Sequence, residues 1–257
     1  MGELTLRVEP DLAGAPLVMA FEGWNDAGEA ATGALRFLSD ALRCVPLGEI
    51  DCEEYLDFTV QRPTLKLNGG RREIEWPGLA FGFGSLDASR ELVTGLGVEP
   101  HLRWRSFCDA VVRLIERLRI GRVVLLGAYL ADVVYSRPVE VTGFATRPET
   151  LDIFGVRPSR YEGPTGIIGV LAERLQQAGV EVVSLWAGLP HYISASPNPR
   201  GSLALLQHLQ EGLHLKLDEQ PLRQEAAAFE EKVSTVVASD PDLVEYVRQL
   251  KRREFAQ

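Results

Sequence analysis

The stretch Leu17-Val18-Met19-Ala20-Phe21, followed closely by Gly23-Trp24-Asn25-Asp26-Ala27-Gly28-Glu29, decides the fold. The first five residues are a short apolar run ahead of a glycine, which is the pattern of a buried strand. Asp26 with Glu29 three residues on has the spacing of a capping box and predicts a helix beginning at once. Ala27, Ala30, Ala31, Ala34, Leu35, Leu38 and Leu42 then recur at helical spacing and give that helix one buried stripe. In open α/β sheets, ligands sit beyond the carboxyl ends of the strands, and Trp24, Asn25 and Asp26 fall at such an end.

Outward from this unit, Leu4 to Val8 alternates as an edge strand would, and residues 43–86 form a β-rich stretch. Within it Leu56-Asp57-Phe58-Thr59-Val60 and Glu73-Ile74-Glu75-Trp76 alternate as strands, with Asn68-Gly69-Gly70 as a turn signal between them. Leu79-Ala80-Phe81-Gly82-Phe83 reads as a central strand. From Arg105 the period changes: Phe107, Ala110, Val111, Leu114, Ile115 and Leu118 share one helical face, and Gly121 ends it before the apolar strand Val123–Gly127. A second unit runs from Gly163-Pro164-Thr165-Gly166 through a helix to Leu175 and a strand over 180–186. Apolar strands alternating with helices predict a layered α/β sandwich with a mostly parallel or mixed central sheet, covered on both faces. The remainder is helical. Leu203, Leu206, Leu209, Leu213 and Leu217 form one stripe, Leu222, Ala226, Phe229, Val233 and Val237 another, and Ser239-Asp240-Pro241 restarts a short helix. The expected organisation is an α/β domain over 1–217 and a C-terminal helical extension over 218–257.

A chain of 257 residues can bury one large core. Its net charge of -9 argues against a nucleic-acid backbone as the main partner, which needs a clustered positive field. Cys44, Cys52 and Cys108 are scattered and odd in number, as expected of reduced thiols in a cytoplasmic protein. No run of roughly 20 apolar residues is present, so no membrane span is expected.

Short catalytic signatures are missing. There is no P-loop, no complete dinucleotide fingerprint and no nucleophile elbow. His101, His191, His208 and His214 are never three or four apart, and no Cys pair completes a metal site, so neither metal nor cofactor is expected. Gly163-Pro164-Thr165-Gly166 reads two ways. Pro164 at a helix start, with the N–H groups of Thr165 and Gly166 free beside a hydroxyl, outlines a small anion hole; equally, the segment is a capped helix start with glycines for close packing. Asp26 explains itself as an N-cap, whereas Trp24 and Asn25 are not needed for one. Trp186 reads as core. His191 has the side chain for an acid or base near neutral pH, or for a structural hydrogen bond. Arg137, ahead of Pro138, suits a carboxylate or phosphate, or an intersubunit ion pair.

Taken in order, Gly23-Trp24-Asn25-Asp26-Ala27-Gly28, Val124-Leu125-Leu126-Gly127-Ala128, Ser136-Arg137-Pro138, Gly163-Pro164-Thr165-Gly166 and Ser184-Leu185-Trp186-Ala187-Gly188-Leu189-Pro190-His191-Tyr192 carry a resemblance. Over roughly residues 15–215 the chain resembles the bacterial branch of the proteasome assembly chaperone family, of the type named after the second eukaryotic assembly chaperone. The resemblance implies a phosphorylase/hydrolase-like α/β sandwich and homo-oligomers, with trimers expected. It also implies proteasome subunits or another protein as partners, and it supplies no catalytic residues. Two departures stand out. Val134-Tyr135-Ser136-Arg137-Pro138 lacks the histidine that family members often carry in Pro-His-Thr-Arg-Pro, and the ending Phe255-Ala256-Gln257 lacks the tyrosine of a proteasome-docking tail.

Two functions follow. One is a homo-oligomeric interaction or chaperone-like protein without catalysis. The other is a small-molecule enzyme acting on a nucleoside, phosphate ester or carboxylate. Its site would be lined by Trp24, Asn25, Asp26, Arg137, Thr165, Gly166 and His191, with His191 as acid or base. A shared pocket requires the turns around Asn25, Arg137 and Pro164 to meet at one rim.

Overall fold

The computed structural model describes residues 4–87 and 90–254; the terminal Phe255-Ala256-Gln257 therefore lies outside the described residues. In chain order the elements are β1 (Leu4–Leu6), β2 (Pro16–Glu22), α1 (Ala30–Ala41), β3 (Val45–Ile50), β4 (Thr64–Asn68), β5 (Arg71–Glu75), β6 (Leu79–Ser85) and β7 (Glu91–Val98). Then come α2 (Trp104–Leu118), β8 (Arg122–Ala131), β9 (Val141–Ala145), α3 (Glu149–Ile153), β10 (Arg157–Pro158) and α4 (Ile167–Gln177). The chain closes with β11 (Glu181–Pro190), α5 (Pro199–Leu213), α6 (Gln220–Ser239) and α7 (Pro241–Glu254).

Among the described residues, nine strands form one sheet in the order β1-β3-β6-β7-β2-β8-β11-β9-β10. Its centre, β7, β2, β8 and β11, is parallel, while β1, β3 and β6 join antiparallel on one side and β9 on the other. Parallel strands buried on both faces need apolar residues at successive positions, which is why β2 reads as an unbroken run. Leu17, Met19 and Phe21 face a core shared with Phe107, Val111 and Leu114 of α2 and Ile167, Ile168 and Leu171 of α4. Val18 and Ala20 face the opposite core, with Ala31, Leu35 and Leu38 of α1 and Leu205, Leu206 and Leu209 of α5. Each of the larger of these side chains contributes about 1.5–3 kcal/mol on burial. The result is the three-layer α/β sandwich expected.

Three local expectations are corrected. Asp26 and Glu29 do not form a capping box. Residues 27–29 make a separate 3-10 turn, and Asp26 Oδ1 accepts from the N–H groups of Ala31 (2.8 Å) and Thr32 (3.2 Å), one turn further on. Glu29 instead accepts from the Ser196 hydroxyl at 2.6 Å. Leu56–Val60 is not a strand. The Asp57 carboxylate takes both the N–H and the hydroxyl of Thr59 (2.8 and 2.6 Å), and this local bonding curls the backbone away from any ladder. Across the Gly69-Gly70 turn the partner of β5 is β4, so the hairpin is shorter than expected. Finally, α4 begins at Ile167 with Gly166 as its N-cap, which places Pro164 before the helix rather than at its first position.

The C-terminal helices wrap the sheet. Leu222, early in α6, joins the α1/α5 core. Further along, Val233 and Val237 pack with Val247 and Leu250 of α7 and with Val134, beyond β8, as a third small core. Asp240 caps α7, its Oδ1 accepting from the N–H of Asp242 (2.9 Å) and Leu243 (3.2 Å), as the Asp-Pro pair predicts. Among the described residues no helix is long and apolar enough to cross a membrane.

Candidate functional site

Where β2 ends, the chain crosses toward β8 and then turns down into α1. The Asn25 carbonyl accepts the Ala128 N–H at 2.8 Å, which fixes the 23–26 loop to the carboxyl end of β8. Asn25 is 1% exposed, and its Nδ2 donates to Glu99 Oε1 at 2.7 Å. The Trp24 N–H donates to the other oxygen, Oε2, at 3.2 Å. Asp26 is also buried. Desolvation raises its carboxyl above the ordinary 3.8, against the opposing pull of the Thr32 hydroxyl (2.5 Å), the two capped N–H groups and the more distant Arg36. Asp26 therefore acts as an internal cap.

The same Glu99 reaches the start of α4, where the Ile167 N–H donates to its Oε1 at 2.8 Å. A helix N-terminus favours an anion through its free N–H groups and dipole. Here a carboxylate of the protein itself takes that position. One carboxylate thus ties together the Trp24 backbone, the Asn25 amide and the α4 N-terminus. Glycine is required at 166 by space: a Cβ there would lie 2.3 Å from Asn25 Oδ1 and 2.7 Å from Glu99 Oε1. Thr165, next to it, only weakly bonds the Gly166 carbonyl (3.5 Å). Before the helix, the Tyr161 hydroxyl donates to the Pro164 carbonyl at 2.8 Å and closes the turn.

Arg137 and His191 belong to a different neighbourhood of the same rim. The Arg137 N–H closes a turn onto the Val134 carbonyl, and its own carbonyl accepts from Arg200 Nη2 at 2.6 Å. Beside it is a cavity of about 140 Å³ lined by Val134, Tyr135, Pro190, Phe229 and Val233. His191 Nδ1 lies 3.1 Å from Asp132 Oδ1, and its ring meets Tyr192 and Tyr246 edge-on at 5.6 Å. The Tyr246 hydroxyl donates to the same Asp132 oxygen at 3.2 Å. Desolvation, and then this bond to Asp132, push its phenol above the usual range.

The three turns therefore share the carboxyl-terminal end of the sheet. β2, β8 and β11 run parallel, with Asp26 bridged to Ala128 and Pro190 paired with Ala131. Among the described residues they fall into two neighbourhoods. Trp24, Asn25 and Gly166 gather around Glu99, while Arg137 and His191 pack with α6 and α7. Glu99 escaped the sequence reading because β7 itself went unread; the available signal was an acid followed by Pro100 directly after Leu92–Val98. The rim also exposes Tyr129, Leu130 and Tyr161 together with Trp24, whose exposure of 65% is large for an indole. Among the described residues, no group of three or more His, Cys, Asp or Glu side chains is placed to hold a metal ion.

A model of the PAC2 family matches residues 20–237. Among solved structures, a PAC2 family protein from Streptomyces avermitilis is 39% identical with a TM-score of 0.83, over 91% of this chain and 99% of its own. A proteasome-assembly chaperone homologue from Mycobacterium tuberculosis is 40% identical with a TM-score of 0.82, over 90% of this chain and 99% of its own. An archaeal homologue of proteasome-assembly chaperone from Pyrococcus furiosus shares the fold, with a TM-score of 0.66 at 19% identity over 98% of this chain and 100% of its own. No curated protein matches the chain.

Proposed function

The chain belongs to the PAC2 family, and from that premise we propose that it is a chaperone-like, homo-oligomeric protein that holds a protein partner on the carboxyl-terminal rim of its sheet. The observation that carries this reading is the Glu99 carboxylate at the start of α4. The position that would hold a substrate anion in the enzyme reading is taken by an internal one. The outcome is a braced loop that carries an exposed indole. Trp and Tyr side chains are enriched among the anchors of protein interfaces, and the exposed Trp24 and Tyr161 flank the braced turn.

Proteasome subunits are the proposed partner class, supported by the description of the 40% identical relative as a proteasome-assembly chaperone homologue. The oligomer is proposed to be a trimer acting in the cytoplasm, as the family resemblance implies. The test is titration of the purified chain with recombinant proteasome α-subunits from the same organism, read by interferometry. A complex that weakens at least about tenfold in Trp24→Ala is expected, since such anchors contribute ~2 kcal/mol or more. No complex, or one indifferent to Trp24, overturns the proposal.

A further inference from the structure

Among the described residues the β4–β5 hairpin pairs with no other strand, and all of its residues are exposed. Its two faces differ. Alternation puts the pairs Thr64–Glu75, Lys66–Glu73 and Asn68–Arg71 on one side, laced by a Lys66–Glu75 ion pair at 2.5 Å and an Asn68–Glu73 hydrogen bond at 3.3 Å. The other side carries the pairs Leu65–Ile74 and Leu67–Arg72. Leu67 is 73% exposed, and Val60 and Trp76 at the hairpin's base are similarly open. A two-stranded ribbon is at best marginally stable in water on its own. An uncovered apolar strand face is also an aggregation hazard. A face of this kind needs a cover that is always at hand.

The two ends of the hairpin are complementary. Arg71 and Arg72 stand at its tip, and neither forms an ion pair among the described residues. At its base is a groove of about 520 Å³ lined by Glu49, Asp51, Glu53, Phe58 and Trp76. The Phe58 and Trp76 rings lie 5.0 Å apart there. Glu49 is paired with Arg7, whereas Asp51 and Glu53 have no cationic partner among the described residues. Carboxylates beside an indole form a receptor for a guanidinium, by ion pairing and by cation–π attraction. A hairpin of this length spans roughly 17 Å, so a tip cannot bend back to its own base.

We propose that this hairpin is the arm through which copies of the chain associate. The basic tip of one copy seats in the acidic, aromatic groove at the base of a neighbour's hairpin, and the Leu65/Leu67/Ile74 face is covered in the same contact. A second copy is the occupant because the chain itself carries both halves of the complement, in charge and in apolar surface. Tip-to-base contacts close a ring or, exchanged reciprocally, a two-fold pair. The inference rests on the homo-oligomer reading above and assigns its interface.

The test is molar mass by light scattering across a dilution series, for the wild type, Arg71→Glu/Arg72→Glu, and the swap that adds Asp51→Arg/Glu53→Arg to the tip variant. All substituted residues are exposed or line an open groove, and unchanged thermal melting of the diluted chains confirms intact folding. Expected are an oligomeric wild type, at least tenfold weaker association for the tip variant, and recovery in the swap. An oligomer indifferent to the tip variant, or no recovery in the swap, overturns the hairpin assignment and leaves the homo-oligomer reading standing. A wild type that is monomeric throughout overturns both.

Discussion

Gly166→Ala probes the brace at the rim most directly. Gly166 has an extended backbone with φ -89, so an alanine there meets no backbone strain, and any cost comes from space. The added methyl would lie 2.3 Å from Asn25 Oδ1 and 2.6 Å from Nδ2, more than an ångström inside the 3.4 Å at which ordinary contact begins for the closer atom. Asn25 is buried, and its Nδ2 is held by Glu99, so its side chain can retreat only by giving up that bond. Overpacking of this kind costs about 1–3 kcal/mol. Displacing Asn25 also gives up a hydrogen bond to a carboxylate, worth about 1.5–3 kcal/mol. The two losses overlap, so the expected destabilisation is roughly 2–4 kcal/mol, or a melting point lowered by roughly 5–15 °C for a chain of this size.

Thermal melting with a parallel urea titration measures this, with Gly78→Ala as the control. At Gly78 the nearest atom to an added Cβ is the Ile50 carbonyl oxygen at 3.9 Å, and the change there should stay within about 0.5 kcal/mol. If Gly166→Ala melts with the wild type, or if the control falls as far, the loop is not braced by the Asn25–Glu99 contact and the account of the rim fails.

Three further outcomes follow from other parts of the molecule. Burial pushes the Glu181 carboxyl up, but the hydrogen bond and charge of Arg122, then those of Arg147, outweigh it and hold it below the ordinary 4.5. The folded chain then binds fewer protons than the unfolded one just below pH 4.5, so this stability is present above that pH and is lost as pH falls through the native value; melting followed across about pH 3–6 should show a shallower acid limb in Glu181→Gln. Desolvation pushes the Cys52 and Cys108 thiols up to about 12 and also raises that of half-buried Cys44; a thiol reagent near neutral pH should label the native chain slowly, at Cys44 first, and reach the other two only on unfolding. Leu250, 3% exposed in the small third core, anchors α7; Leu250→Ala should cost that cluster about 2–4 kcal/mol and abolish hydrogen-exchange protection in α7 while β2 and β8 keep theirs.

What could be read from the sequence tracks how local the cause is. β2, β8 and β11 were legible because a strand buried on both faces needs an apolar residue at nearly every position, and Val123–Gly127 meets that need without help from elsewhere. Asp240-Pro241 was legible for the same reason, since a cap and a first-turn proline act within a few residues. Leu56–Val60 misled because alternation alone does not reveal that Asp57 bonds Thr59 before any neighbouring strand can. The site was harder still. Its turns lie at the carboxyl-terminal end of the sheet, yet the residue that joins Trp24, Asn25 and Ile167 follows the end of β7, 74 positions on from Asn25. A lone glutamate carries no spacing signal of its own; only the sheet order, with β7 beside β2, brings it there.

That placement also bears on the proposed use of the rim as a docking surface. A parallel sheet leaves a crevice beyond its strand ends where the order of strands reverses, and a helix N-terminus pointing into it attracts an anion. Once Glu99 supplies the anion from within, the attraction stabilises the protein, joining the end of β7, the loop after β2 and the start of α4. Loops fixed by a shared carboxylate lose freedom on folding, before any partner arrives. On the proposed reading, a partner meeting Trp24 has less ordering entropy to overcome, which is where preorganised interfaces gain affinity. The same half-buried contact that fills the α4 N-terminus with an internal carboxylate thus preorganises the rim, which is what the proposed docking of a protein partner requires.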